Sequence, residues 1–243
     1  MRSNRYESRR YLEEYLLFHY GSSANLCPFA GVPRGWLRFH EQLRTKCLGP
    51  MRSRGPIRAL DIGCGVGRFT FELARIADEV LGVDYSRKFI EAARKLARTN
   101  SITLRIRESG ASMRSHRVSL PAPLRNKCVR FQVGDALDVR CFSDQPFQIV
   151  AAINLLCRLP SPRKFLSSLA RIVTPRGQLL LASPYSWSQE YTPPSEWLSS
   201  KQVADLLRPD FKLSHRGDFP FIIREHRRKY QLVFSEVMTF VRT

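Results

Sequence analysis

The residues best suited to chemistry are three aspartates, each placed at the end of an apolar run. In Leu60-Asp61-Ile62-Gly63-Cys64-Gly65-Val66-Gly67, an acidic residue is followed by three alternating glycines. Glycines so spaced let the backbone turn tightly and approach a ligand with no Cβ in the way. A helix opening near Val66 would aim its free N–H groups at the same ligand. A dinucleotide site asks for G-x-G-x-x-G around a pyrophosphate, whereas this chain has G-x-G-x-G behind a carboxylate. Asp61 would repel a pyrophosphate and suits a cation. About 20 residues on, where a fingerprint of this type places its second acid, Val80-Leu81-Gly82-Val83-Asp84 ends in a carboxylate followed by Tyr85. One carboxylate can satisfy two adjacent hydroxyls. Val133-Gly134-Asp135-Ala136 follows a further apolar run. There a carboxylate can accept from an amino group while the neighbouring N–H serves a ring nitrogen. Alone, the glycines could be a ligand-free turn and the Gly-Asp end is weak evidence; in register, the three motifs describe one ligand.

Elements must place these groups side by side. Alternating patterns predict strands at 57–62, 79–83, 128–133, 147–152 and 178–182, with helices at 66–77, 88–99, 162–173 and 201–207. Residues 102–107 alternate, 109–126 read as a surface insertion, and 175–177 as a turn. Probable strands at 211–216 and 229–240 finish the chain. Short apolar runs suit buried parallel strands. Their alternation with helices predicts an α/β fold, a single doubly wound, mostly parallel sheet with right-handed crossovers. Ligands then bind at the carboxyl ends of the strands. Before the sheet, Tyr11, Tyr15, Phe18 and His19, and Leu12, Leu16 and Tyr20, recur at helical spacing up to Gly21. Such a stripe serves either as core packing or as a lid. The Gly/Pro-punctuated stretch 48–56 divides the chain into an N-terminal helical extension, 1–56, and a domain, 57–243, with a basic insertion at about 101–127.

Composition bounds the partners. Forty Lys+Arg against 21 Asp+Glu give a formal charge of +19, spread over the N-terminal region from Arg2, the middle segment and the C-terminal region. Such a field attracts nucleic acid or an acidic surface, although an Arg-rich composition gives the same charge with no such partner. No apolar run approaches the roughly 20 residues of a membrane span. No signal-type apolar segment follows the charged start, and Glu7, Glu13 and Glu14 argue against a transit peptide. A cytoplasmic protein is expected. Cys27, Cys47, Cys64, Cys128, Cys141 and Cys157 are irregularly spaced, with no C-x-x-C and no Cys/His cluster. They read as reduced thiols, with no metal site.

From about 57 to 182 the three motifs resemble the class I S-adenosylmethionine (SAM)-dependent methyltransferases, with a Rossmann-like sheet. The resemblance implies SAM as cofactor. Asp61, Gly63, Gly65 and Gly67 would face its methionine part, Asp84 and Tyr85 its ribose, and Asp135 and Ala136 its adenine. The strand ending Ala152-Ile153-Asn154-Leu155-Leu156-Cys157-Arg158-Leu159-Pro160 lacks the (D/N)-P-P-(Y/F) motif of many amino-group methyltransferases. Asn154 either hydrogen-bonds an acceptor or merely closes the strand.

That segment, together with Tyr11 to Gly21, Ser183-Pro184-Tyr185-Ser186-Trp187, Tyr191-Thr192-Pro193, Trp197-Leu198 and Phe221-Ile222-Ile223-Arg224-Glu225-His226, resembles a narrower family. It is the 5-thiohistidine (4-mercaptohistidine) N-methyltransferases, which supply the methyltransferase domain of ovothiol biosynthesis. The chain departs from the bifunctional members in having no sulfoxide-synthase region, in Gln148 where Asp is common, and in its basic insertion. The resemblance implies methyl transfer to an imidazole nitrogen of a small thiol-bearing histidine. Its carboxylate asks for an arginine fork, from Arg158 or, preferred for its apolar neighbours, Arg224. Glu225, Tyr15 and Tyr185 are candidates for the ammonium. His19 or His226 is a candidate base, and Trp187 and Trp197 candidate walls.

Overall fold

The computed structural model describes residues 5–51 and 55–243. Arg2, and residues 52–54 of the Gly/Pro-punctuated stretch, lie outside the described residues. Three helices come first: α1 (Arg9–Tyr20), α2 (Ser23–Leu26) and α3 (Phe39–Gln42). Then follow β1 (Arg58–Ile62), α4 (Arg68–Leu73), β2 (Glu79–Asp84), α5 (Arg87–Thr99), β3 (Ser101–Ser109) and β4 (Ser112–Ser119). Next are β5 (Val129–Val133), β6 (Phe147–Ile153), α6 (Pro162–Ser168) and β7 (Val173–Ser183), and last α7 (Ser200–Leu207), β8 (Phe211–His226) and β9 (Lys229–Arg242). The main sheet has the order β5-β2-β1-β6-β7-β9-β8. Its first five strands are parallel, and β9 runs antiparallel to both β7 and β8. The strand order reverses between β1 and β6, so a crevice opens at their carboxyl ends. A doubly wound, mostly parallel sheet is what the sequence alternation predicts.

Local chemistry sets the element ends. Ser8 caps α1 by accepting from the Tyr11 N–H, and the Gly21 N–H closes it on the Leu17 carbonyl. Ser86 caps α5, and Ser199 with Gln202 forms a reciprocal capping box on α7. In β1, Ala59, Leu60, Asp61 and Ile62 are all buried, as a strand covered on both faces requires.

Five elements differ from expectation, each for a physical reason. The helix expected at 66–77 spans only Arg68–Leu73, because Gly67 takes a left-handed φ of 87° and ends the turn there. The helix expected at 162–173 stops as α6 at Ser168, and Val173 already pairs with Phe147. The expected turn at 175–177 is instead an irregularity within β7, with Arg176 at φ 63°. The insertion is an ordered hairpin: β3 and β4 pair through eight positions, and Leu104, Ile106 and Val118 are buried in a core shared with Leu16 and Leu17 of α1. Finally, β8 runs ten residues past its expected end, because it pairs with β9 as far as His226.

The extension shares the sheet's core. Phe39, Leu43 and Cys47 pack in one cluster with Ala59, Phe69, Phe221 and Val237. Gln148 is part of the frame, its Oε1 accepting from the Arg58 N–H at 2.8 Å. At Gly67 an added Cβ would lie 2.6 Å from Cε1 of Phe131. Gly67→Ala therefore combines left-handed strain with overpacking and should cost roughly 2–4 kcal/mol. Urea denaturation checks this; an unchanged midpoint would show that the turn adapts.

Candidate functional site

A cleft of about 730 Å³ lies over the carboxyl ends of β1, β2, β5 and β6, walled by α1 and by the distal half of the β8–β9 hairpin. Its two sides differ in chemistry.

The sheet side carries the acids. Asp61 is buried and its Oδ2 accepts from Thr70 Oγ1 at 2.7 Å. Burial pushes its carboxyl up to about 7, against the lowering effect of Thr70. The loop after it is tied to β2, the N–H groups of Gly63 and Cys64 both reaching the Val83 carbonyl. Asp84 accepts from the Gly65 N–H through Oδ2 and from the Ser86 N–H through Oδ1, each at 2.8 Å. Each carboxylate oxygen accepts up to two hydrogen bonds, so one place on each is left for a ligand hydroxyl. Burial pushes Asp84 up to about 6, held back by those two N–H bonds. Asp135 accepts from the Leu137 N–H at 2.9 Å, with Ala136 buried beside it. Tyr85 stands exposed on the rim. Gly63, Gly65 and Gly67 all have positive φ, and a Cβ at Gly65 would enter the cleft 3.5 Å from Cε1 of His19.

The opposite side is aromatic. Tyr15, Phe18 and His19 of α1 line it, with His40, Phe89 and Tyr191. The rings of His19 and His40 lie 4.3 Å apart between centroids. Burial drives His19 down to about 3 and His40 well below its ordinary value, helped by the Arg68 charge. Both are neutral at pH 7. Nδ1 of His19 is buried with no hydrogen-bond partner among the described residues. Asn154, at φ 54°, closes β6 at the cleft wall. Arg158 is the one arginine or lysine among the described lining residues. It bonds Tyr6, Ser186 and the Cys157 carbonyl and lies over the Tyr191 ring.

Of the expected substrate and base residues, the structure therefore brings Tyr15, His19, Asn154 and Arg158 into the cleft. It does not bring Arg224, Glu225, His226 or Tyr185 there. Arg224 is buried behind the wall, giving Nη2 to Glu108 at 2.8 Å and Nη1 to the Asn25 carbonyl at 2.6 Å. Glu225 lies outside the lining, paired with Lys229, with Gln231 and, at 3.8 Å, with Arg10 of α1. His226 sits at the hairpin turn, where Nδ1 accepts from the Arg228 N–H. Alternation along β8 accounts for Arg224, since Phe221 and Ile223 take the cleft face and Arg224 the other; Glu225 follows on their face, beyond the lining. Tyr185 turns to Glu236, 3.0 Å away. Trp187 and Trp197 bond the Leu198 and Thr192 carbonyls outside the cleft. Sequence reasoning missed Tyr6, His40, Tyr191 and Gln231, all in the lining. Only Tyr191 stood in a motif that drew notice. Among the described residues no cluster of His, Cys, Asp or Glu could hold a metal ion, and no helix is long and apolar enough to cross a membrane.

Comparison with known proteins places this geometry. A family profile described as a methyltransferase domain matches residues 60–181, half of the chain. The O-methyltransferase cnsE of Penicillium expansum is 30% identical over 124 residues, 51% of this chain and 36% of that protein. A ubiquinone biosynthesis O-methyltransferase of Alkalilimnicola ehrlichii is 27% identical over 140 residues, 57% of this chain and 45% of its own length. The chain thus matches less than half of either relative. Among solved structures, magnesium protoporphyrin IX methyltransferase (ChlM) from Synechocystis PCC 6803 with bound SAM superposes with a TM-score of 0.61 at 16% identity, covering 99% of this chain and 94% of that one. The N-methyltransferase NodS from Bradyrhizobium japonicum WM9 gives 0.55 at 17% identity, covering 84% and 93%. The doubly wound sheet is thus a Rossmann-like methyltransferase fold.

The raised Asp61 pKa has a testable sign. An unfolded Asp titrates near about 3.9, so between about pH 4 and about 7 the folded chain holds the extra proton. Ionising Asp61 across that window destabilises the fold. Wild type and Asp61→Asn should differ least below pH 4, and the variant should gain on wild type as pH rises to about 7. Paired urea denaturation from pH 4 to 8 measures this; a flat difference would mean Asp61 is already ionised at low pH.

Proposed function

The chain belongs to the methyltransferase-domain family, and on that premise we propose that it transfers the methyl group of SAM to a small acceptor held beneath α1. The observation that carries this is the two-sided cleft. Three strand-end aspartates and a glycine loop face an aromatic wall with two neutral histidines and one arginine.

The sheet side fits the cofactor. Asp61 lies in a pocket that a cation would ionise, Asp84 keeps room for a ribose diol, and Asp135 with Ala136 stands where an adenine edge is read. Gly65 keeps the approach free of side-chain atoms. When bound, SAM supplies a methyl group on an electrophilic sulfonium. The chain's residues do the rest. Tyr15 and Phe18 exclude water, Arg158 holds an anionic group, and the neutral His19 ring offers a nitrogen, unpartnered among the described residues, for a hydrogen bond. Transfer from a sulfonium to a neutral nitrogen disperses charge, so orientation and desolvation supply much of the acceleration.

The finer reading is an imidazole nitrogen of 5-thiohistidine, as in ovothiol biosynthesis. Its support is the flanking motifs that contribute cleft residues: Tyr15 and His19, Asn154 and Arg158, Ser186, Tyr191, and Phe221 with Ile223. Arg158 replaces Arg224 as the carboxylate ligand, since Arg224 is spent on Glu108. On this view residues 1–56 act as the lid, and the work is done in the cytoplasm.

The test is incubation with SAM and, separately, 5-thiohistidine, histidine, a catechol and an RNA, reading S-adenosylhomocysteine release. Turnover of 5-thiohistidine is expected. Release with the catechol alone would make the chain an O-methyltransferase, and release with RNA alone, collapsing as salt rises, would make the +19 surface the recruiter. Arg158→Lys loses the planar two-point contact. It should raise KM for 5-thiohistidine by about tenfold, the loss of a charged hydrogen bond. SAM binding should not change, and the decarboxylated analogue should be nearly unaffected. Equal losses for both substrates would show Arg158 to be structural only.

A further inference from the structure

The amide of Asn154 is held in one orientation by a residue outside the cleft. Ser235 of β9 is fully buried, and its Oγ lies 2.6 Å from Oδ1 of Asn154. That amide oxygen is the only hydrogen-bond partner of the hydroxyl among the described residues. Turning the amide over would set Nδ2 against Oγ and leave the hydroxyl hydrogen buried without an acceptor. Burial of an unsatisfied polar group is costly, so Oδ1 faces Ser235. The backbone fixes the other end: Asn154 has φ 54° and its N–H donates to the Ala182 carbonyl at 2.8 Å. Asn154 Nδ2, which has no protein partner among the described residues, is then the atom presented to the cleft.

We propose that Ser235 is a positioning residue that makes Asn154 a hydrogen-bond donor only, and that the methyl acceptor offers it a heteroatom bearing a lone pair and no hydrogen. A carboxylate oxygen, a thiolate sulfur and an unprotonated ring nitrogen meet that condition. A protonated amine or a neutral hydroxyl whose hydrogen must be received at this point does not. The inference rests on the methyltransferase reading for its substrate consequence, but the amide orientation stands on geometry alone. It also separates this site from one in which the strand-end amide oxygen grips the N–H of an amino group. Here that oxygen is turned to Ser235, outside the cleft.

Two experiments test it. In the ligand-free protein, the side-chain amide signals of Asn154, identified by their loss in Asn154→Asp, should exchange with water as fast as exposed amides. Protection of one Nδ2 proton that Ser235→Ala releases would show the amide to be the other way round and overturn the proposal. With 5-thiohistidine as probe, Ser235→Ala should raise its KM by about tenfold, the loss of one oriented hydrogen bond, while KM for SAM holds and Ser235→Thr restores the wild-type value. Unchanged KM in Ser235→Ala, or failure of Ser235→Thr to restore it, overturns the positioning role. Absence of turnover in wild type would count against the functional reading, and the exchange measurement would still decide the orientation.

Discussion

One buried carboxylate holds the two parts of the molecule in register. Glu72 of α4 is almost fully enclosed and accepts from Arg44 Nε at 3.0 Å and from Arg68 Nη2 at 2.9 Å. Arg44 belongs to the N-terminal extension and Arg68 opens the helix behind the glycine loop. Removing both arginines would strip this buried charge of its close partners, a loss of at least about 3–5 kcal/mol. The effect on geometry matters as much. Arg68 also gives Nη1 to the carbonyl of His19 at 2.9 Å. The loop helix, the extension and the histidine in the cleft are therefore referred to a single charge.

The electrostatics of the cleft follow from what is enclosed with it. A chain of formal charge +19 presents a site whose arginine is engaged with Tyr6 and Ser186 and whose histidines are neutral. Burial raises Asp61 and Asp84 toward neutrality until a cation or a hydroxyl donor arrives. Arg158 is the cation of the described lining, and protein partners hold it in place. Preorganised dipoles in such surroundings act more strongly than in water. Ser235 and Asn154 are one such dipole pair.

The groups that were legible in the sequence are those that chain-local rules position. Asp61, Asp84 and Asp135 each end a strand whose apolar pattern is visible in a few residues, and α1 shows its 3.6-residue period up to Gly21. What could not be read depends on distant partners. Phe221, Ile222 and Ile223 look like an apolar frame for a substrate-binding Arg224, and the frame exists. It delivers the guanidinium to Glu108, 116 positions away, on a hairpin that reads as loop. His40 sits in a four-residue helix with no period of its own, and only packing against His19 and Phe18 marks it. The length of β8 was hidden because its far half alternates between the cleft and the insertion rather than between core and solvent.

The insertion thus changes meaning once its contacts are known. Its inner face buries Leu104, Ile106 and Val118, with His116 and Arg114 paired beside them, and Arg105, Arg107 and Arg117 share the outer one. Its edges bind both walls of the cleft. The Arg105 N–H donates to Glu13 of α1 at 3.2 Å, and Glu108 takes Arg224 and, through its carbonyl, the Arg227 N–H of the β8–β9 arm. One hairpin therefore braces both α1 and the β8–β9 arm, which also pack on each other directly through Phe18 and Phe221, ring centroids 5.0 Å apart. The basic character of the segment follows in part from this duty. An outer strand face that must stay in solvent while its inner face packs is free to carry arginines.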